Sequence, residues 1–222
     1  MIPLLTKPLG EIAVVGAHCD DIAIGMGGTL LALARAERGL RVHALVLSGR
    51  GTEREAEEVS ALRAFCPGLE IRLQIHDVPD GHAPAHWREA KKILSDFRQT
   101  CSPSLVFGPH KDDAHQDHRL LAELLPTTFR DHLILGYEII KWENDTPQPT
   151  MYHPMTTELA VTKATLLQKH YPSQAARDWF DDGAFLGLSR LRGVQCRSPH
   201  AEAFVVEKAA IAFGAVLGGG HE

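Results

Sequence analysis

Two short polar clusters carry the residue types from which a metal site can be built. His18, Asp20 and Asp21 lie within four residues, directly after a short apolar run rich in β-branched side chains. His115 and His118 lie in a second cluster, which follows another short apolar run. Neighbouring carboxylates raise each other's energy unless a cation or a proton relieves them. A divalent cation is the simplest source of that relief, so the clusters indicate a metal site.

The spacing also suggests what such a site would do. His18, Asp21 and one of the two later histidines would supply three ligands and leave one coordination position open. An open position distinguishes catalytic zinc sites from closed structural ones, and zinc lowers the pKa of its water to about 7. Asp20, beside Asp21 but pointing elsewhere, would be the general base for that water. The residues therefore predict metal-assisted hydrolysis.

The elements that would position these clusters alternate between strand and helix. Predicted strands cover residues 11–17, 41–48, 69–75, 104–108 and 132–138. A glycine-rich turn from residue 25 leads into the first helix, and further helices are predicted at 52–65, 86–101 and 117–130. This alternation predicts parallel βαβ units with right-handed crossovers, and therefore an α/β fold. Because ligands bind at the carboxyl ends of parallel strands, the two clusters should face each other there.

The pattern changes after Lys141. A polar, proline-bearing loop covers residues 142–150. Two segments with aromatic residues, the loop Trp142–Met155 and Trp179–Asp182, are the places to look for substrate specificity. Two helices are predicted at 162–170 and about 176–191, with a last strand at 203–206. No linker composition divides the chain, so one domain over residues 1–222 is expected.

Composition excludes several classes of protein. The net charge of −5 disfavours a nucleic-acid partner, which would need a broad basic surface. The four cysteines are far apart, which argues against a disulfide framework or a thiolate zinc site and suits a cytoplasmic location. The N-terminal segment is too short for a signal peptide, and no apolar run approaches the ~20 residues of a membrane span. The sequence leaves a homo-oligomer open.

Further motifs follow the two clusters in a fixed order along the chain. Ala17-His-Cys-Asp-Asp-Ile22 and His115-Gln-Asp-His118 resemble the A-H-P-D-D-E and H-x-D-H motifs of the LmbE-like, or PIG-L, family of zinc-dependent N-deacetylases. Four more segments resemble other family motifs: Arg54-x-x-Glu57-x-x-x-Ala61, Val78–Gly81, Lys163–Gln174 and His200–Phe204. The resemblance covers nearly the whole chain, and its ordered set is far more specific than any single motif.

The resemblance implies a three-layer, Rossmann-like fold with a mostly parallel sheet and helices on both faces. It also implies hydrolysis of an N-acetyl group from an amino sugar, such as N-acetylglucosamine, or a glycoconjugate. The implied zinc ligands are His18, Asp21 and His118, although other divalent transition metals tolerate the same donors. Asp20 would be the general base, and His115 would stabilise the oxyanion or protonate the leaving amine. Asp117 would orient a histidine. Three residues would contact the substrate: Arg54, Asp80 and His170.

Two positions depart from the family pattern. Cys19 replaces the usual proline, and we expect it to be a small buried residue rather than a thiolate ligand. Ile22 replaces the usual glutamate, and its expected effect is on the wall of the pocket. Neither position is a ligand or base in the family.

Other readings of these residues remain open. Asp20 or Asp21 would also serve as a helix N-cap, and Arg54 could form a surface pair with Glu57. A dinucleotide-binding oxidoreductase is rejected, because the glycines come too late and carboxylates would repel a pyrophosphate. Two alternatives stay open: a non-catalytic metal- or ligand-binding member of the same fold, and an amidase that acts on a non-sugar metabolite.

Overall fold

A seven-stranded sheet forms the centre of the computed structural model, which describes residues 9–210. The strands, in chain order, are β1 (Glu11–Gly16), β2 (Arg41–Val46), β3 (Glu70–Ile75), β4 (Leu105–Pro109), β5 (Leu133–Tyr137), β6 (Met151–Met155) and β7 (His200–Val205). Their order across the sheet is β3-β2-β1-β4-β5-β7-β6. The first five strands are parallel, and β7 pairs antiparallel with both of its neighbours.

Helices cover both faces of this sheet. They are α1 (Asp21–Ala36), α2 (Glu53–Phe65), α3 (Trp87–Gln99), α4 (Gln116–Thr128), α5 (Thr157–His170) and α6 (Asp182–Cys196). The buried apolar side chains form two clusters, one beneath α1, α2, α5 and α6 and the other beneath α3 and α4. The predicted three-layer α/β fold is therefore confirmed. Within residues 9–210, no helix is both long and apolar enough to cross a membrane.

The C-terminal third differs from the sequence prediction in three places. Strand β6 lies inside the segment that was predicted as a loop. The sequence did not reveal this strand because it contains Pro154, and proline is tolerated in a strand only at the edge of a sheet. Helix α5 begins earlier than predicted, where the Thr156 hydroxyl accepts from the Leu159 N–H. Helix α6 begins later than predicted, at Asp182. The preceding Asp181 caps it, because its carboxylate accepts from the Ala184 N–H at 2.7 Å.

Helix α1 also departs from the prediction. Residues 25–28 lie inside this helix rather than in a turn before it, and the backbone is non-helical only at Met26 (φ −144°, ψ 21°). A Cβ atom at Gly25 would collide with the ring of Tyr137, so the glycine permits close packing of the helix on β5. The kink divides α1 into a short first segment, which begins at Asp21, and a longer second one.

The sheet topology locates the position where a ligand would bind. Strand β1 pairs with β2 on one side and β4 on the other, so the chain order reverses between β1 and β4. Loops from the carboxyl ends of two such strands diverge to opposite faces and leave a crevice between them. The two polar clusters of the sequence follow these two strands.

Candidate active site

Two turns at the carboxyl ends of β1 and β4 form the walls of the crevice. In the first turn, Asp21 Oδ2 accepts hydrogen bonds from the backbone N–H groups of Ala17 and His18, both at 2.8 Å. In the second, His115 caps helix α4, because its Nδ1 accepts from the Asp117 N–H at 3.3 Å. Asp21 in the first turn and His115 in the second thus each stabilise their own turn through backbone hydrogen bonds.

Three side chains converge across the crevice. His18 Nδ1 lies 3.2 Å from His118 Nε2, and His118 Nε2 lies 3.3 Å from Asp21 Oδ1. His18 Nδ1 is 3.6 Å from Asp21 Oδ2. Ligands bound tetrahedrally at 2.0–2.1 Å are about 3.3–3.4 Å from one another. Asp21 meets the two imidazoles through different oxygens, Oδ1 toward His118 and Oδ2 toward His18. All three residues are buried, and the two ring nitrogens and this carboxylate lie close enough together to hold a small divalent cation.

Three carboxylates orient the two imidazoles from outside. His18 Nε2 lies 3.1 Å from Asp117 Oδ2 and 3.0 Å from Asp80 Oδ1. His118 Nδ1 lies 3.0 Å from Asp113 Oδ2. A carboxylate beside the outer ring nitrogen keeps the proton there and leaves the inner nitrogen free to bind a metal.

The rest of the fold holds two of these carboxylates in place. Asp117 accepts from the N–H groups of Gly81 and Ala83, at 2.8 and 3.0 Å, in the loop after β3. Asp113 accepts from Lys141 Nζ at 3.0 Å, and Lys141 follows β5. The loops after two further strands, β3 and β5, therefore support the site residues that follow β1 and β4.

The buried carboxylates raise the pKa of both imidazoles at the centre of the site. Burial disfavours the imidazolium of His118, but Asp21 and Asp113 outweigh it and raise the pKa to about 9. Burial likewise opposes the charge of His18, yet Asp21 and Asp117 raise its pKa well above the usual value. Burial alone would raise the pKa of Asp21, but the two histidines hold it well below its ordinary range. A bound cation would take the place of these protons.

Asp20 is held in a strained conformation beside this centre. Its φ of 119° is in a region that non-glycine residues rarely adopt. Its N–H donates to Glu58 Oε2 at 2.9 Å, and its Oδ1 lies 3.0 Å from Arg54 Nη2. Burial raises the pKa of the carboxyl to about 7, against the opposing effect of Arg54. The Asp20 side chain makes no capping bond to α1, so helix capping does not account for it.

His115 lies against the same centre, with a ring nitrogen within 4.8 Å of ring nitrogens of His18 and His118. Its ring centroid lies 4.7 Å from that of His18 and 4.6 Å from that of His118. Because Nδ1 accepts a backbone hydrogen bond, the proton of the neutral ring is on Nε2. Burial lowers the pKa of His115, and the two neighbouring histidines lower it further. His115 is therefore a neutral hydrogen-bond donor.

Of the three predicted substrate-contacting residues, the structure brings two into the site. Arg54 pairs with Asp20 and lies 3.8 Å from Asp80, and all three line one cavity. Glu57 does not pair with Arg54, because it accepts from the Ser173 N–H and hydroxyl instead. His170 does not line this cavity.

The third residue points away from the crevice. His170 Nδ1 lies 2.9 Å from Ser60 Oγ, in a contact between α5 and α2. Cys19 and Ile22 are both fully buried and outside the cavity lining. The Cys19 thiol donates to the Ser48 carbonyl, and burial raises its pKa far above the usual value, so it is the expected small buried residue. Ile22 packs in the core rather than in the pocket wall.

The cavity over the site has a volume of about 210 Å³. Beyond the residues already described, its wall contains Ile24, Ile139, Lys141, Trp142, Glu143, Gln174, Arg177 and Trp179. Trp142 and Trp179 belong to the two segments that the sequence marked for specificity. Lys141 was not predicted, although its place four residues after β5, at the same sheet edge, is a signal that could have found it.

The family described as PIG-L, GlcNAc-PI de-N-acetylase, matches residues 13–129, which is just over half of the chain. The chain belongs to the PIG-L family. The matched residues run from β1 to the end of α4 and include both turns of the crevice. The resemblance seen in the sequence motifs is thus confirmed.

This PIG-L protein is also similar in sequence to a bacterial protein and in structure to two proteins of known structure. It is 29% identical to a protein of Escherichia coli K12 named uncharacterized deacetylase YaiS, over 72% of this chain and 89% of that protein. The structure of N,N'-diacetylchitobiose deacetylase from Pyrococcus horikoshii matches with a TM-score of 0.67 and 21% identity, over 89% of this chain and 84% of that one. GalB, the 4-carboxy-2-hydroxymuconate hydratase of Pseudomonas putida KT2440, matches with a TM-score of 0.69 and 17% identity, over 93% and 99%. At such low identities the two structures establish the fold and not the reaction.

Proposed function

We propose that this PIG-L protein removes an N-acetyl or related N-acyl group from an amino sugar or glycoconjugate by hydrolysis that depends on a divalent cation. The observation that carries the proposal is the convergence of two imidazoles and a carboxylate, 3.2–3.6 Å apart, beside a strained and buried Asp20. The family description, a de-N-acetylase, supports amide hydrolysis, as does the name of the E. coli relative.

The cation would be held by His18, Asp21 and His118. Two nitrogens and one oxygen suit zinc in a catalytic site, and iron(II) or cobalt would accept the same donors. When bound, such a cation polarises an amide carbonyl and makes a water molecule more acidic. The outer carboxylate Asp117 would fix the orientation of His18, as the 3.1 Å contact between them indicates.

The residues around that position divide the proton transfers between them. Asp20 would take a proton from the attacking water, and its pKa of about 7 suits a base that works at neutral pH. His115 would donate its Nε2–H to the oxygen on which negative charge develops. The leaving nitrogen needs one proton, and Asp20 would return the one that it took from the water. Delivery by His115 instead would require its imidazolium form, which burial and the neighbouring histidines disfavour. Arg54 and Asp80 would contact the substrate from the cavity wall.

A non-catalytic role is less well supported. A binding protein would have no need of a carboxylate that is both buried and strained, since each property is energetically costly. An amidase acting on a non-sugar metabolite would use the same residues and is separated from our proposal only by the substrate.

The cellular setting is also part of the proposal. All four cysteines are buried and free, which suits the reducing conditions of the cytoplasm. We propose a cytoplasmic, single-domain enzyme with a small-molecule substrate and no nucleic-acid partner. No oligomeric state is proposed.

The proposal is tested by measuring free-amine release from a panel of N-acetylated amino sugars. Each reaction is run with the protein as purified, with a chelator, and with zinc added back. Turnover that the chelator abolishes and zinc restores would support a metal-dependent deacetylase. If turnover is unchanged by the chelator while the protein holds less than about one-tenth of a mole of metal per mole, the reaction does not depend on a metal. No turnover with one equivalent of zinc bound would contradict deacetylation of these sugars.

A further inference from the structure

The mouth of the cavity carries a solvent-exposed tryptophan. Trp142 is 60% exposed, although it follows β5 and lines the same cavity as the catalytic residues. Tryptophan combines a large apolar surface with one polar N–H, and it normally buries most of that surface in a core or an interface. An indole left open beside an active site therefore indicates a surface that a ligand covers.

Three neighbours hold this indole in position. Its Nε1–H donates to Asp178 Oδ1 at 2.6 Å, and its ring meets that of Trp179 edge to face with centroids 6.0 Å apart. The guanidinium of Arg177 lies 5.5 Å from its centroid. The N–H of the indole is donated to Asp178, and Arg177 already supplies a cation to its ring. The part of the ring that stays open therefore suits a group that presents C–H bonds or a flat apolar face.

The size of the cavity determines which part of a substrate reaches Trp142. At about 210 Å³ the cavity is smaller than the ~300–1,000 Å³ pockets that enclose drug-sized ligands. It therefore has room for little more than the acetamido sugar itself. Whatever is attached to that sugar must leave through the mouth, where the exposed indole lies.

The charges around the mouth argue against a charged attachment. Arg54 is paired with Asp20, and Lys141 with Asp113. The remaining charged residues of the wall near the tryptophans are Arg177 and Glu143, and within residues 9–210 neither forms an ion pair. Asp178, which accepts from the indole N–H, adds a second carboxylate beside them. The two carboxylates disfavour an anionic attachment, and the Arg177 guanidinium over the indole disfavours a cationic one.

We infer that Trp142 is a specificity-determining residue that stacks against an uncharged pyranose ring attached to the acetamido sugar. The inference rests on the proposed function and narrows its substrate to a glycan or glycoside of at least two rings. The C–H face of a pyranose supplies the apolar surface, while its hydroxyls remain in water.

The test compares substrates in which only the attachment differs. N-acetylglucosamine, N,N'-diacetylchitobiose, N-acetylglucosamine 1-phosphate and an octyl glycoside of N-acetylglucosamine are assayed with the metal-loaded protein and with Trp142→Ala and Trp142→Phe. The wild type should prefer the two-ring substrate in kcat/KM. Trp142→Ala should lose about ten-fold on that substrate and less than two-fold on the monosaccharide, as expected for one aromatic contact. Trp142→Phe should recover most of the loss, because it restores a flat ring.

Trp87→Ala is the matched control, because Trp87 is also an exposed tryptophan (44%) but lies at the start of α3, outside the cavity. Equal losses on both sugars, or a wild-type preference for the phosphate or octyl compound, would overturn the inference.

A binding measurement separates this inference from the proposed function. The intrinsic fluorescence of Trp87→Phe is titrated with N,N'-diacetylchitobiose after metal removal, so that no hydrolysis occurs. Quenching that disappears in Trp87→Phe/Trp142→Phe would support the subsite even if the panel showed no turnover. Absence of quenching would overturn it, even if the enzyme proved to be a deacetylase.

Discussion

At the scale of single residues, Asp20 has a conformation and an environment that no structural role requires. It is buried, it has a φ of 119°, and its carboxyl faces Arg54 rather than the end of α1. Strain of this kind costs about 1–3 kcal/mol and is retained mainly where function depends on it. The Glu58 carboxyl maintains the conformation by accepting the Asp20 N–H.

Asp20→Asn should retain the metal and lose most of its turnover. Asparagine has the same shape and tolerates positive φ, but it cannot take a proton from water, so kcat should fall by about 10²–10⁴-fold. Metal stoichiometry and kcat are measured on the same preparation. If kcat stays within two-fold of the wild type, the assignment of Asp20 as base is wrong.

Asp113→Asn should weaken metal binding without removing a ligand. The carboxylate that lies 3.0 Å from His118 Nδ1 would be replaced by an amide, and loss of such a partner lowers metal affinity by about 10–100-fold. Affinity is measured by competition with a chromogenic chelator. Asp112→Asn is the control, because Asp112 is the exposed neighbour. Equal affinities for the two variants would show that Asp113 does not support the site.

At the scale of elements, the kink of α1 is stabilised by one ion pair. Glu202 of β7 accepts from the N–H groups of Gly28 and Thr29 at 2.7 and 2.6 Å, just after Met26. Lys163 of α5 donates to the Ile24 carbonyl at 2.6 Å and lies 2.7 Å from Glu202. The pair thus caps the end of one helical segment and the start of the next. It holds the short segment that begins with Asp21.

Glu202→Ala should destabilise the fold strongly, because the buried Lys163 charge would keep the Ile24 carbonyl but lose its anionic partner, at a cost of about 3–5 kcal/mol. The double variant Glu202→Ala/Lys163→Met should recover part of this loss. Unfolding in urea gives the free energies, and Glu123→Ala, on the exposed face of α4, is the control. A loss below about 1 kcal/mol for Glu202→Ala would show that the kink does not depend on the pair.

At the scale of the whole molecule, the site joins two halves of the sheet. The residues proposed to hold the cation come from the turns after β1 and β4, and the carboxylates around them follow β3 and β4. Lys141, which follows β5, supports Asp113. A cation bound between these turns would link segments about 100 residues apart in the chain, as the contact between His18 and His118 does. Binding to the folded state alone raises stability by mass action.

Zinc at about 100 times its Kd should therefore stabilise the protein by about 2.7 kcal/mol. For a chain of this length, that corresponds to a rise in Tm of about 5–10 °C. Differential scanning fluorimetry with zinc, with calcium and with a chelator measures the shift. Calcium, which prefers oxygen ligands, should have little effect, and His118→Ala should abolish the zinc shift. A zinc shift that persists in His118→Ala would place the metal elsewhere.

How much could be predicted from the sequence differs between the two parts of the chain. In residues 11–137 the alternation of strand and helix predicted the five strands and helices α2, α3 and α4 to within a few residues, whereas α1 begins before its predicted turn. The rule for strand ends placed His18 and His118 together. Local patterns could not reveal which distant groups complete the site. The roles of Asp113, Lys141 and Glu58 depend on tertiary contacts, and the site loops nearest Trp142 have no periodicity to interpret.

Strand β6 shows the limit most clearly, and its proline has a further consequence. It is the last strand at one edge of the sheet, and an edge strand can recruit a strand from another molecule. Pro154 is exposed there and has no N–H to offer. At the opposite edge, β3 carries the charged pair Glu70 and Arg72. Both edges thus disfavour pairing with a strand of another molecule. Pro154, which made β6 unrecognisable in the sequence, therefore also helps to keep the protein from aggregating at high concentration.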